Sequence, residues 1–146
     1  MHKFISFCCL IMIGISCIKA QTPIKLSWAV LQDVEFKAKY VKEIEGDMFF
    51  PSFPNNVLQL KGKKVTVKGF CVPVDKEGKT LALSASSYAN CYFCGKSGPA
   101  SVLTVKLKSP KPYKLDAFVA FTGILKLNDS DIREFYYILE DAVETP

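Results

Sequence analysis

At 146 residues, 49% of them hydrophobic and 23% charged, the chain is too apolar for a disordered segment and sized for a single core. Its formal net charge of +5 is mild, and its only histidine is His2. Histidine-based hydrolysis, a His-rich metal centre and a strongly basic nucleic-acid scaffold are therefore disfavoured before any element is considered.

Residues 1–20 read as an export signal: a basic head at Lys3, an apolar run from Phe4 to Ile18, and a small residue, Ala20, before Gln21. The run is shorter than the roughly 20 residues that span a bilayer, which argues against a membrane anchor. A rival reading cuts before Cys17, where Gly14-Ile15-Ser16-Cys17 loosely resembles a lipobox and would place a lipid on the cysteine. Membrane association is expected only in that case. Removal of the leader takes Lys3 and Lys19 with it, leaving +3 on a single domain spanning residues 21–146. It also takes Cys8, Cys9 and Cys17, so the remaining thiols are Cys71, Cys91 and Cys94.

Past Gln21, Ser27 stands where it would cap a short helix that aligns Trp28, Leu31 and Val34. Residues 34–40 alternate strictly, predicting a half-buried strand with Val34, Phe36 and Tyr40 inward. Gly46, Pro51 and Pro54 predict an irregular loop whose Met48, Phe49, Phe50 and Phe53 fold over one end of the core. Asn55 or Asn56 would cap one helical turn, ended near Gly62. The longest strand follows, from Lys64 to Val74, with Gly69 marking a bulge or bend that lets one strand serve two faces. Asp75 to Gly78 forms a turn, and residues 80–86 return as the hairpin partner. Further strands are expected at 101–107, 118–127 and 134–139. The sum is a mainly β chain, a small antiparallel OB-like barrel of five to six strands with one short N-terminal helix.

Cys91-Tyr92-Phe93-Cys94-Gly95 carries the chemistry. A c-type haem is not expected, because Gly95 stands where its ligand histidine would be. A thioredoxin-like site lacks the helix that should follow the pair. Two thiolates at this spacing suit half of a zinc site, for which Cys71 could supply a third sulfur, and copper(I) is satisfied by fewer ligands. A local disulfide between Cys91 and Cys94, or a reduced pair pinning the loop, is the plainer alternative. Tyr88, Tyr92 and Phe93 are candidate contacts for a ligand or partner. Asn128-Asp129-Ser130 matches a glycosylation sequon. Lysines alternating with apolar residues, as in Val65 to Lys68, are those of a solvated strand face.

The run from Leu60 through Lys64-Val65-Thr66-Val67-Lys68-Gly69-Phe70-Cys71-Val72-Pro73, with Leu83-Ser84-Ala85 and the Cys91–Gly95 turn, resembles an uncharacterised family of small exported bacterial proteins known as a domain of unknown function. The resemblance implies an OB-like barrel in the periplasm or cell envelope of a bacterium, with some members encoded beside transporter components. The expected function is then a noncatalytic envelope binding or accessory module that engages a thiophilic metal ion, zinc or copper, or a transport-related partner. The alternative is a periplasmic dithiol redox enzyme or chaperone. Nucleic acid is not an expected partner, since export and a charge of +3 both argue against it.

Overall fold

The computed structural model describes residues 22–146. The expected leader and the rival acylation site at Cys17 lie outside the described residues. Two short N-terminal elements, β1 (Ile24–Lys25) and α1 (Trp28–Gln32), lead into a ribbon of β2 (Glu35–Val41) and β3 (Gly46–Ser52). After one helical turn, α2 (Asn55–Leu58), come β4 (Lys64–Pro73), β5 (Thr80–Ser84), β6 (Val102–Leu107), β7 (Phe118–Leu127) and β8 (Tyr137–Thr145). No helix among the described residues is long and apolar enough to cross a membrane.

The last five strands close a barrel in the order β4-β5-β6-β8-β7, with β7 returning to β4. Every pairing around the ring is antiparallel except that of β6 with β8. This is an OB-like barrel, and it confirms the strand count expected from Lys64 onward. β4 pairs with β7 over Lys64–Phe70 and with β5 over Phe70–Pro73, so the strand changes partner at Phe70, beside the glycine expected to mark a bend. Gly69 is required for a closer reason. A Cβ there would lie 2.5 Å from the Ser84 carbonyl oxygen and 3.2 Å from the Trp28 ring. Val65, Val67 and Cys71 keep one inward parity across it.

β5 leaves the first half of β4 without a neighbour on that edge. β1 fills the gap in parallel, pairing Ile24 with Val65 and Lys25 with Thr66, and Trp28 Nε1 donates to the Lys68 carbonyl at 2.8 Å. Leu31 is wholly buried, and its carbonyl accepts the Tyr137 hydroxyl at 2.6 Å, tying α1 to the last strand. Side chains of β4 to β8 fill the barrel, among them Val67, Leu83, Leu103, Val105, Phe121, Leu125 and Leu139. Each such apolar side chain removed from water contributes about 1.5–3 kcal/mol.

Several expectations are corrected. Residues 46–52 form a strand in full register with β2, from Val41–Gly46 to Glu35–Ser52, where an irregular loop was expected. A proline is tolerated because a two-stranded ribbon has open edges on which a missing N–H costs nothing. Tyr40 is 69% exposed instead of inward. One face of the ribbon packs along the barrel, with Phe36 5.6 Å from the Tyr136 ring and Val41 and Phe50 buried, while Tyr40 and Phe49 are left exposed. Ser27 and Pro54 occupy the helix N-cap positions without a side-chain cap. The last strand runs to Thr145, beyond the expected end at Leu139. It continues through a bulge at Asp141, whose φ is 49°, opposite Gly123, where a Cβ would meet the Glu140 carbonyl at 2.5 Å.

Candidate functional site

The segment between β5 and β6 builds the dithiol turn from three short 3-10 turns, Tyr88–Asn90, Tyr92–Cys94 and Pro99–Ser101. Extended Cys91 ends the first, Gly95 ends the second, and Gly98-Pro99 opens the third. Gly95, at φ 68°, reverses the chain after Cys94, and the Cys91 carbonyl accepts the N–H groups of both Cys94 and Lys96. The two sulfurs converge. Cys91 Sγ and Cys94 Sγ donate to the same oxygen, that of Tyr88, at 3.1 and 2.9 Å. Their surroundings differ, because Cys91 is fully buried and Cys94 is exposed.

Cys71 stands apart from this pair, inside the barrel on β4. Burial, with a smaller contribution from Glu144, pushes its thiol up to about 11, so it remains neutral and unreactive at physiological pH. No group of three metal-ligating side chains forms among the described residues. The arrangement therefore offers two sulfurs, a number that suits copper(I) more readily than zinc.

Asp116 anchors the turn to the barrel. It sits in the left-handed region at φ 63°, which aspartate tolerates better than most residues. From there its N–H donates to the Cys71 carbonyl at 2.9 Å, and its Oδ1 accepts the Tyr88 N–H at 2.7 Å. One residue thus links β4 to the residue whose carbonyl receives both thiols.

Tyr88, Tyr92 and Phe93 are 40%, 39% and 41% exposed, and all three belong to one aromatic cluster. Tyr92 and Phe93 stand edge-on to Phe135 at 6.1 and 6.0 Å, while Tyr88 stacks on Phe93 at 6.4 Å. The cluster borders a cleft of about 390 Å³ on the outer face of β5 and β6. Thr80, Ala82 and Thr104 floor it, and Met48 of the ribbon closes one side. The β7–β8 loop, through Ile132, Phe135 and Tyr136, forms a further wall.

That wall is organised by Asn128. Its Oδ1 accepts the N–H groups of Ser130 and Asp131, and its Nδ2 donates to the carbonyls of Asp131 at 2.7 Å and Glu134 at 3.1 Å. The amide that a glycan would occupy is thus buried and engaged, so the sequon serves as a loop brace. The Tyr136 hydroxyl donates to the Phe49 carbonyl and joins wall to ribbon. Charges at the rim are internally matched. Lys106 meets Glu134 at 2.8 Å, and the Arg133 guanidinium donates to both Asp131 oxygens, holding that carboxyl below its usual range.

Of the residues anticipated from sequence, Cys91, Cys94, Tyr88, Tyr92 and Phe93 come together, and Cys71 does not join them. Phe135, Asn128, Asp116 and Met48 were not anticipated. Phe135 and Met48 gave only a hydrophobic signal, and Asp116 gave none.

No family model matches the chain, and no curated protein matches it. Among solved structures, it is similar to a DUF3299 family protein from Pseudomonas aeruginosa PAO1, at 15% identity and a TM-score of 0.48. The similarity covers 86% of this chain and 98% of that one.

Proposed function

We propose that this protein is an exported binding module of a bacterial envelope, whose cleft takes an apolar, aromatic-bearing segment of an envelope or transporter-associated protein. One observation carries the reading: half-exposed rings of the cysteine turn are continuous with an apolar cleft on the second and third barrel strands. OB barrels use that face, with the loops beside it, to bind extended ligands. Large contiguous apolar surface left in water marks a contact site. Nucleic acid is the poorer occupant, because Lys106 and Arg133 at the rim are each satisfied by a carboxylate and offer little to phosphates.

An amide-resolved NMR titration tests this. Acetyl-Gly-Leu-Trp-Leu-Gly-amide should shift residues 80–82, Thr104, Tyr92 and 132–136, whereas oligothymidylate should shift nothing. Phe135→Ala removes the ring that joins wall and turn, and should weaken the peptide by about tenfold, the equivalent of 1.4 kcal/mol. Shifts confined to another face, or tighter binding of the oligonucleotide, would refute the assignment.

A further inference from the structure

The inequality of the two thiols has a chemical meaning. Exchange requires a sulfur that an incoming disulfide can approach along its own S–S axis, followed by a second sulfur close enough to release the adduct. Cys94 is exposed and Cys91 is fully buried, yet both reach the Tyr88 oxygen, within 2.9 and 3.1 Å. Access is thus confined to one sulfur and proximity is given to both. We infer that the pair performs thiol–disulfide exchange with a disulfide-bearing polypeptide, with Cys94 as the attacking sulfur and Cys91 as the resolving one.

Deprotonated Cys94 would bond to one sulfur of the partner disulfide as that S–S bond breaks. The partner's other sulfur leaves as a thiolate and takes up a proton. Cys91 then gives up its proton and attacks Cys94 Sγ, which breaks the mixed disulfide, forms the Cys91–Cys94 bond and releases the second partner thiol. Two electrons pass from the pair to the partner. Tyr92 and Phe93, which lie between the sulfurs in sequence, both abut Phe135 of the cleft wall. A segment seated in the cleft therefore lies against the turn that carries Cys94. The exchange itself requires only the pair and holds whichever segment the cleft prefers.

The full chain with Cys8, Cys9 and Cys17 replaced by serine is reduced, freed of reductant and mixed with 5,5′-dithiobis(2-nitrobenzoate), an aromatic disulfide. Thionitrobenzoate release is followed by absorbance and the protein by intact mass. The native pair should release two equivalents and retain none. Cys91→Ser should release one and keep one adduct at Cys94, whereas Cys94→Ser should react at least tenfold more slowly. Cys91→Ala, with thermal melting of every variant, separates loss of resolution from loss of fold. Equal rates for the two single variants, or a native pair that retains a stable adduct, would overturn the inference. The peptide titration reports on the cleft alone, so either reading can fail without the other.

Discussion

Asn128 shows how much a single side chain does here, because its five-atom amide fixes the loop that walls the cleft. Its nitrogen faces carbonyl oxygens of Asp131 and Glu134. Asn128→Asp keeps the shape and places a negatively charged oxygen against those acceptors, whereas Asn128→Leu only leaves them unpaired. Unpaired buried groups cost about 1–3 kcal/mol, so the leucine variant should lose that much in urea unfolding and the aspartate variant more. An aspartate variant as stable as the native protein would show that the loop is held otherwise. Sequence displayed this residue only as part of a sequon, because a bond from a side chain to a carbonyl six positions away leaves no periodic trace. The cysteine pair was legible for the opposite reason. Two residues between thiols ensure proximity in almost any turn, while the burial that distinguishes Cys91 from Cys94 depends on distant packing.

The dithiol turn is held as an element at a few points, of which Asp116 is the one that ties it to β4. Asp116→Ala should leave the barrel intact and loosen the turn, at a cost of about 1 kcal/mol for one hydrogen bond at a solvent-accessible site. Hydrogen exchange by NMR should then speed up for the amides of Tyr88 to Cys94, with β4 and β7 unchanged, and Asp116→Asn, which keeps the acceptor, should restore most of the protection. Faster exchange throughout the barrel would mean that Asp116 supports the fold as a whole. Strands β4 to β7 were readable from alternation and turn residues. The ribbon was only half readable, since Pro51 and Gly46 carry a loop signature and their tolerance depends on open edges that only the topology reveals. The end of β8 was hidden by its bulge at Asp141, which interrupts the alternation that marks a strand.

The whole molecule responds to acid through carboxylates whose folded forms are favoured. Desolvation acts to raise the Asp75 carboxyl, but the N–H groups of Thr80, Lys79, Gly78 and Glu77 outweigh it and lower the group. Hydrogen bonding from Lys111 and then Tyr113 lowers Glu144, and Arg133 lowers Asp131. A carboxyl that is more acidic folded than unfolded adds stability above its unfolded value, and that stability disappears as pH falls through the folded one. Urea stability should therefore be level across neutral pH and decline below about 4, where free carboxylates titrate. Combining Asp75→Asn with Glu144→Gln should flatten the decline, and an unchanged acid slope in that variant would place its origin elsewhere.

Closure of the ring between β4 and β7 joins Val65 to Gly123, far apart along the chain. Until that seam forms, Cys71 is as open to oxidants as the pair in the turn. β-rich domains with such distant pairings fold in roughly milliseconds to seconds, whereas disulfide formation takes about seconds to hours. The order of these clocks isolates the barrel thiol first, so a third thiol beside the pair does not commit the newly made chain to scrambled crosslinks.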